Sequence, residues 1–283
     1  MGDFGFVSTA SLLKYQALGN DFLIALDPAA LGGREAVGKE TVRYLCDRRR
    51  GVGADGLILV HPAKRAGEAA MELRNADGGR AETSGNGLRC LALALLDAGL
   101  VSSPSFLIET DGGEVRLEVA GRRAGRSAEV RASMGRVSLE RMEPSPLEGF
   151  SAYSVDVSNP HLVLLGEEIE TVDLSREGPR LETSLPGGRN VEVVRKSGQD
   201  ALELAVWERG AGLTAACGSG SVAAAAAARS AGLVGDRVVV DNPGGRLVVE
   251  LAGEPESPEA TLTGPACRVA RLEVELGPVA AES

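Results

Sequence analysis

Two glycine-rich stretches carry side chains that could move a proton. The first, TAACGSGSVAAAAAARSAGL (Thr214–Leu233), places Cys217 directly before a Gly-x-Gly turn and an alanine-rich run. The second, AETSGNGLRCLALALLDAGL (Ala81–Leu100), has the same layout with Ser84 at the matching place. The first turn of a helix presents unpaired N–H groups and a partial positive charge, which favour an anion and lower the pKa of a thiol. Each stretch is therefore predicted to be a helix start that holds a carboxylate beside its Cys or Ser.

Two such loops facing each other would hold one α-carbon between the side chains at positions 217 and 84. One side chain would remove the α-proton while the other delivers a proton to the opposite face, which inverts the centre. The lowered pKa predicts that Cys217 is a thiolate near neutral pH. A single Gly-x-Gly helix start is also common as a purely structural cap, so the interpretation depends on there being two of them.

An internal repeat supports the pairing of the loops. Met71–Gly87 aligns with Leu204–Gly220 without a gap at a constant offset of 133, so that Ser84 meets Cys217 and Gly85 meets Gly218. Each half then runs from a strand through a polar loop to Gly-x-Gly and an Ala/Leu-rich helix. The duplication predicts two homologous halves that face each other.

Short Val/Leu/Ile-rich runs alternate with turn residues along most of the chain, which predicts an α+β fold with mostly antiparallel pairing. The predicted helices are Gly38–Asp47, Gly87–Ala98, Ser219–Ala231 and a short one at Thr171–Arg176. The proline and glycine of MEPSPLEGF predict a linker within Glu140–Phe150. The predicted strands are Leu12–Ala17, Asp21–Ala25, Gly56–His61, Ala70–Asn75, Ser105–Glu109, Val115–Val119, Glu129–Met134, Ala152–Val157, His161–Leu165, Asn190–Val194, Ala201–Trp207, Arg237–Asp241, Arg246–Leu251 and Glu259–Gly264.

Composition excludes several classes of function. The formal net charge of −10 argues against nucleic acid binding, and the basic run 48–50 between two aspartates is interpreted as a solvated helix end rather than an anion site. Four well-separated cysteines and two histidines predict no metal site; Cys46, Cys90 and Cys267 are expected to be small buried side chains. No cofactor motif is present, so no cofactor is expected.

Residues up to about Ala10 are interpreted as a leader or tag remnant. Without an export signal or a membrane-spanning run, a cytoplasmic location is expected, with no membrane partner.

Seven segments together resemble the diaminopimelate epimerases, which interconvert LL- and meso-2,6-diaminopimelate without a cofactor. The resemblance implies two pseudo-symmetric domains, each a mostly antiparallel sheet or barrel wrapped around a central helix, with the active site between them. It implies a first half at 1–140, completed by a strand at 268–283, and a second half at 141–267. It also implies a small-molecule amino-acid substrate, and dimers are common for this architecture. The segments are ALGNDF (Ala17–Phe22), CDRRRGVGADG (Cys46–Gly56), RNADGGRAETSGNGLRC (Arg74–Cys90), SNPHLV (Ser158–Val163), RNVEVV (Arg189–Val194), WERGAGLTAACGSG (Trp207–Gly220) and TGPACRV (Thr263–Val269).

The resemblance also implies roles for individual residues. Cys217 matches a catalytic cysteine, and Ser84 stands where the family has the other. Gly218 and Ser219 would hold the reacting carboxylate, with Gly85 and Asn86 as the matching groups of the first loop. The polar set matching the family's contacts to the substrate's amino and carboxyl groups is Asn20, Asn75, Asn159, Asn190, Glu208 and Arg209.

Some of these residues have a simpler interpretation. Asn20 and Asn159 also suit turns, and Arg209 also suits a surface ion pair. His161 suits either a substrate contact or a satisfied strand position. The polar set as a whole favours diaminopimelate over a small amino acid, because a site built to pair two charged groups discriminates against substrates that lack them.

Serine at position 84 departs from the family pattern, because a hydroxyl without an adjacent base is a poor proton acceptor. Three interpretations stay open. The serine is a substitution that stops turnover in an otherwise intact pocket; or the protein is a racemase of another amino acid, with Cys217 as base and Ser84 as weak acid; or it is a lyase with a single base. A binding protein that has lost turnover is the non-enzymatic alternative.

Overall fold

The computed structural model describes residues 8–31, 37–81, 84–123 and 125–276, which fold into an α+β structure. No helix in these ranges is long and apolar enough to cross a membrane. The α-helices are α1 (Lys39–Cys46), α2 (Gly85–Asp97), α3 (Leu174–Glu182) and α4 (Gly218–Ser230). The strands are β1 (Ser8–Ala17), β2 (Asn20–Ala25), β3 (Gly56–His61), β4 (Ala69–Asn75), β5 (Arg80–Ala81), β6 (Ser105–Thr110), β7 (Gly113–Arg123), β8 (Ser127–Arg136), β9 (Ser138–Met142), β10 (Ser151–Asp156), β11 (Pro160–Leu165), β12 (Asn190–Gly198), β13 (Ala201–Glu208), β14 (Gly212–Leu213), β15 (Arg237–Asn242), β16 (Gly245–Ala252) and β17 (Glu259–Leu276).

The strands of the first half close into a barrel around α2. Pairing runs from β1 through β2, β3, β4, β6, β7, β8 and β17 and returns to β1. Only the β2–β3 and β4–β6 pairs are parallel. Helix α2 packs on β1, β2, β7, β8 and β17, and its residues 85–95 are buried on every side. A helix that is apolar all round needs such an enclosing sheet.

The second half repeats this order of pairings around α4. Antiparallel β10–β11 leads to parallel β11–β12, antiparallel β12–β13, parallel β13–β15 and antiparallel β15–β16. Strand β16 pairs with β17, and β9 pairs with β10. The alanines of α4 from Ala223 to Ala228 are fully buried, which lets the surrounding strands approach the helix closely. The recurring order matches the repeat found in the sequence.

Strand β17 belongs to both halves. Glu259–Thr263 pairs with β16 on one side, Glu259–Cys267 pairs with β8 on the other side, and Cys267–Leu276 pairs with β1. The sequence ended this strand at Gly264 because glycine and proline follow each other there. In the structure Pro265 lies opposite Glu129 within the β8 pairing, so the strand continues without a break.

Other predicted elements need correction. The predicted helix Thr171–Arg176 is a 3₁₀ turn (Ile169–Thr171) followed by α3, which starts after Asp173, whose side chain accepts a hydrogen bond from Ser175 N–H. Strand β9 was not predicted, and Ser8–Ala10, read as a leader or tag remnant, lies in β1. Residues 1–7 lie outside the described ranges. The domain boundaries expected at 140/141 and 267/268 remain a proposal.

Candidate active site

Ser84 and Cys217 cap α2 and α4 in the same way. The Ser84 Oγ accepts a hydrogen bond from Gly87 N–H at 3.2 Å, and the Cys217 Sγ accepts one from Gly220 N–H at 3.3 Å. Both cap residues have extended backbone, with φ of −104° and −119°. A side chain that caps a helix start lies beside the unpaired N–H groups of the first turn. The two predicted loops are therefore structurally equivalent.

The two helix starts touch each other through glycines. A methyl group added to Gly218 would lie 3.2 Å from the Gly85 Cα, and one added to Gly85 would lie 3.4 Å from the Gly218 Cα. Both added methyl groups would also press on the Leu262 Cδ2, at 3.0 and 3.1 Å respectively. Glycine at both positions thus allows the two backbones to meet where the anion-attracting ends of α2 and α4 converge.

A cavity of about 760 Å³ opens over this contact. Its size falls within the range usual for small-molecule sites. Every residue that the sequence placed in the site lines this cavity: Asn20, Asn75, Ser84, Gly85, Asn86, Asn159, Asn190, Glu208, Arg209, Cys217, Gly218 and Ser219. The structure therefore brings the whole predicted set together, from elements of both halves.

Asn86 joins the two loops by its side chain. Its Nδ2 donates to the Ala216 carbonyl oxygen at 2.9 Å and to the Asn20 Oδ1 at 3.1 Å. Asn20 in turn donates to the Asp55 Oδ2 at 2.7 Å. Asn20 starts β2 rather than serving only as a turn residue. The turn before it holds Leu18 at φ 55°, and Ser158 before Asn159 has φ 64°; non-glycine residues rarely adopt these angles, and strained positions of this kind cluster at functional sites.

The surroundings of Cys217 favour the thiol over the thiolate. The residue is only 3% exposed, and burial raises its pKa well above the ordinary value. The carboxylates of Glu208 and Glu192 raise the pKa of Cys217 further, against smaller opposing effects of Ser219 and Gly220 N–H. The predicted thiolate near neutral pH is therefore wrong for this structure, since desolvation and two acidic neighbours outweigh the helix start.

Glu208 and His161 form the polar wall behind Cys217. Burial raises the pKa of Glu208, whose carboxylate accepts a hydrogen bond from the Thr214 hydroxyl. His161 is fully buried, with Nδ1 2.7 Å from Glu192 Oε1 and Nε2 3.0 Å from Asn159 Oδ1. It does not line the cavity, so the interpretation as a satisfied strand residue fits its position. It reaches the site through Asn159 and through Glu192, whose carboxylate raises the pKa of Cys217.

The far end of the cavity is formed by β12, β13 and the loops beside them. Asn190 Oδ1 accepts a hydrogen bond from the Arg209 N–H at 2.9 Å. The Arg209 guanidinium donates to the Gly187 carbonyl oxygen at 3.2 Å. Asn75 ends β4 on the opposite wall and is exposed. These residues supply amide and guanidinium groups to the lining of the cavity.

Sequence reasoning missed Arg48 and Asp55 as part of this site. The Arg48 guanidinium bridges Asp21 Oδ1 at 2.6 Å and Asp55 Oδ1 at 2.7 Å, and both Arg48 and Asp55 line the cavity. Arg48 lies just after α1 and is exposed, as expected of a solvated helix end, and it is also ion-paired at the cavity wall. The available signal was that Asp21 and Asp55 lie inside the same motifs as Asn20 and Gly56.

The other thiols lie outside the cavity. Cys46 and Cys90 are buried, and burial raises the pKa of each to about 12. Cys267, expected to be buried, is partly exposed. Within the ranges that the structure covers, no three His, Cys, Asp or Glu side chains are grouped as metal ligands would be.

Comparison with known proteins extends the likeness over the whole fold. The family model of diaminopimelate epimerase matches residues 12–140 and 153–269. A diaminopimelate epimerase of Corynebacterium glutamicum is 37% identical over 282 residues, which cover 95% of this chain and 99% of the relative. One from Desulfitobacterium hafniense is 35% identical over 277 residues, covering 91% of this chain and 95% of the relative.

Solved structures show the same fold at lower identity. A hydroxyproline epimerase from Agrobacterium vitis, with bound trans-4-hydroxy-L-proline, aligns with a TM-score of 0.72 at 18% identity, covering 98% of this chain and 95% of that one. A PhzF-family phenazine biosynthesis protein of Bacillus anthracis aligns with a TM-score of 0.74 at 15% identity, covering 95% and 99%. At these identities the likeness concerns the fold alone. Because the family model covers both halves and the relatives match nearly end to end, this chain belongs to the diaminopimelate epimerase family.

Proposed function

We propose that the protein is a cofactor-independent isomerase that interconverts LL- and meso-2,6-diaminopimelate by proton transfer on both faces of the α-carbon. One observation carries the proposal: Ser84 and Cys217 cap two helices whose first residues touch, beneath one cavity. A substrate carboxylate bound by the N–H groups of both helix starts would hold the α-carbon between the two side chains. The names of the relatives support diaminopimelate as the substrate.

The helix starts also stabilise the reacting state. Removal of the α-proton leaves negative charge that delocalises into the carboxylate, where the N–H groups of α2 and α4 converge. Fixed donors aimed at developing charge contribute several kcal/mol in a site shielded from water. Because its pKa is raised, Cys217 carries a proton before the reaction and donates it to one face of the α-carbon; in the reverse direction it takes the proton back. Position 84 serves the opposite face.

Ser84 limits the rate of this reaction. Its Oγ accepts the hydrogen bond from Gly87 N–H, and among the described residues no basic side chain is hydrogen-bonded to it. A hydroxyl without a base is a weak nucleophile and a weak proton acceptor. The enzyme with serine is therefore expected to invert its substrate slowly, as a slowed or inactive form of the two-thiol site.

The far end of the cavity favours a substrate with two amino-acid ends. Asn75, Asn159, Asn190, Glu208 and Arg209 supply donors and acceptors of both kinds for an ammonium group and a second carboxylate. A site that pairs polar groups of this kind with a bound substrate rejects analogues that lack the matching charges by a factor on the order of 10⁴. Diaminopimelate fits this requirement better than a small amino acid does.

The same serine favours a second candidate function. A site with one thiol suits a racemase or lyase of another amino acid, in which Cys217 works with Ser84 as a weak acid. A protein that binds its ligand without turnover is the third candidate. These alternatives differ in what happens at the α-carbon.

Incubation of LL- and meso-diaminopimelate, and of a panel of other amino acids, in D₂O separates the candidates. An epimerase incorporates solvent deuterium at the α-carbon of diaminopimelate and converts each isomer into the other, as followed by proton NMR and chiral analysis. Deuterium uptake or loss of a β-substituent without inversion indicates a lyase, and inversion of a different amino acid indicates another racemase. Binding of diaminopimelate without exchange would contradict the catalytic proposal.

The Cys217→Ala variant is expected to abolish exchange in the same assay. The control is Cys90→Ala, because Cys90 is a buried thiol outside the cavity.

Three further points stay proposals. The cytoplasm is the location that a biosynthetic isomerase of free amino acids requires. A homodimer is proposed from the architecture alone. The domains are proposed as 1–140 with 268–283 and as 141–267.

A further inference from the structure

Arg89 is a charged side chain that the proposed reaction does not use, yet it is fully buried. It lies on α2, one turn after Gly85, with 0% of its surface exposed. Burial lowers its pKa to about 10, so the guanidinium is still charged at neutral pH. Its hydrogen bonds go to neutral acceptors, and the charge of Glu129 on β8 raises its pKa less than burial lowers it. A fully buried charge whose hydrogen bonds all go to neutral acceptors is costly and needs a physical reason.

The Arg89 guanidinium makes three hydrogen bonds in the buried interior of the barrel. Nη1 donates to the Gly85 carbonyl oxygen at 3.2 Å, and Nη2 donates to the Asn86 Oδ1 at 2.8 Å. Nε donates to the Pro265 carbonyl oxygen at 3.3 Å, which ties α2 to β17. The guanidinium lies close to the β17 backbone: a methyl group added to Gly264 would lie only 3.3 Å from the Arg89 Nε.

These bonds direct the charge toward both helix starts. The Gly85 carbonyl belongs to the same peptide group as the Asn86 N–H, so a cation on the oxygen strengthens that N–H as a donor. Asn86 accepts from Arg89 through Oδ1 and donates through Nδ2 to the Ala216 carbonyl oxygen at 2.9 Å. The Ala216 carbonyl shares its peptide group with the Cys217 N–H. One buried cation is thus linked to the peptide groups of both loops.

The internal repeat does not account for this arginine. Its equivalent at the offset of 133 is Val222, a buried apolar residue of α4. The start of α4 instead has a carboxylate beside it, since a methyl group added to Gly220 would lie 2.6 Å from Glu192 Oε1. Of the two equivalent positions, only the one on α2 is therefore a cation. Hydrogen bonds through Asn86 connect this cation to the loop before α4.

We infer that Arg89 is a positioning residue for a carboxylate ligand: it fixes Asn86 between the two loops and supplies the counter-charge for an amino-acid carboxylate bound across both helix starts. This role of Arg89 rests on the proposed function, in which the ligand is an amino acid with a carboxylate. Arg89 acts through Gly85 and Asn86 and does not line the cavity. Binding of the anion offsets the cost of the buried charge, so affinity depends on the charge at position 89.

The test compares Arg89→Met, which keeps most of the volume, with Arg89→Lys, which keeps the charge. Calorimetric titration with meso-diaminopimelate follows affinity, and thermal melting checks the fold. Arg89→Met is expected to bind at least about 10-fold more weakly than the wild type, and Arg89→Lys to lie between them. The matched control is Arg229→Met, because Arg229 lies near the other end of a central helix, paired with Asp236. It should bind within about twofold of the wild type, as expected for a residue remote from the ligand.

Affinity in Arg89→Met equal to or above that of Arg89→Lys would show that only packing matters, and would overturn the inference. If Arg89→Met does not fold, Arg89→Lys carries the test, because lysine lacks the fork that reaches both acceptors and should still weaken binding. Unchanged affinity in Arg89→Lys would then overturn it.

A measurement without ligand separates this inference from the proposed function. Wild-type protein that does not bind diaminopimelate contradicts the proposed function alone. The backbone amide proton resonances of Asn86 and Cys217, recorded without ligand, then test whether Arg89 acts on both loops. Both are expected to move upfield in Arg89→Lys and to stay in place in Arg229→Met. A Cys217 resonance that does not respond would overturn the link between the two loops.

Discussion

Cys217 and Ser84 share one backbone geometry but differ in electrostatic surroundings. Two carboxylates lie near Cys217, whereas the helix start at Ser84 has the buried Arg89 behind it. An acidic neighbourhood favours a protonated group and a basic one favours an ionised group. The two helix starts therefore differ in electrostatic surroundings, and those of Cys217 favour its protonated form.

The raised pKa of Cys217 gives a testable pH dependence. A raised pKa means that the thiol keeps its proton to higher pH than free cysteine, whose pKa is about 8.5. Alkylation of Cys217 by iodoacetamide should therefore be slow at pH 7. Its rate should increase only above about pH 8.5, the pKa of free cysteine. Glu192→Gln removes a nearby negative charge and should shift this increase to lower pH. Mass spectrometry of the labelled peptides follows each thiol separately, with the partly exposed Cys267 as the internal reference. Reaction of Cys217 at pH 7 as fast as that of Cys267 would contradict the assignment.

Motifs predicted residues that all line one cavity, but sequence could not give their protonation states. Each predicted residue reached the cavity because its motif fixes a turn or a helix start at the end of a strand. Burial, Glu208 and Glu192 raise the pKa of Cys217, and Glu192 is distant in sequence and comes close to the thiol because α4 packs on β12. The ion pairs of Arg48 were missed for the same reason, because its partner Asp21 lies on another element.

At the scale of elements, the contact between α2 and α4 sets the geometry of the site. Alanine at position 85 or 218 places a methyl group 3.2–3.4 Å from the other helix and 3.0–3.1 Å from Leu262. Overpacking of this kind costs about 1–3 kcal/mol. Gly85→Ala and Gly218→Ala should each lower the free energy of unfolding by about that amount and reduce turnover, because the two helix starts separate.

Urea denaturation and the deuterium exchange assay measure the two effects. Gly38→Ala is the control, because nothing lies within 4 Å of a methyl group at that position. If both site variants matched this control in stability and exchange, the contact between the helix starts would not matter for the site.

Elements with strong local signals were predicted well, and those decided by long-range pairing were not. The helices at α2 and α4 follow from their apolar runs after Gly-x-Gly. Helix α3 contains Pro179, which sequence reading treats as a stop, and its buried face packs on β13 and β14. The polar strand β9 forms because it continues the direction of β8 and pairs with β10.

At the scale of the whole molecule, β17 couples the two halves. The same strand pairs with β16 in one half and with β1 in the other, and pairs with β8 between them. A break in either half would therefore expose part of β17 and weaken the other half. The repeat in the sequence predicts two halves but contains no signal for a shared strand.

This coupling predicts a single cooperative unfolding transition. Trp207 is the only tryptophan and lies on β13 in the second half, so its fluorescence reports on that half. Far-UV circular dichroism reports on both. The two transitions in urea should coincide, which is the standard sign of two-state unfolding. Separate midpoints for the two probes would show that the halves unfold independently.

The Ser84→Cys variant tests the central claim most directly. If positions 84 and 217 flank one α-carbon, a thiol at 84 supplies the missing second proton-transfer group beside the Arg89 charge. Inversion of LL-diaminopimelate to the meso form, followed by chiral analysis in D₂O, should then increase by at least about 100-fold over the serine enzyme. Adding Cys217→Ala to this variant should abolish the gain. A rate in Ser84→Cys equal to that of the serine enzyme would contradict the two-sided transfer between the helix starts.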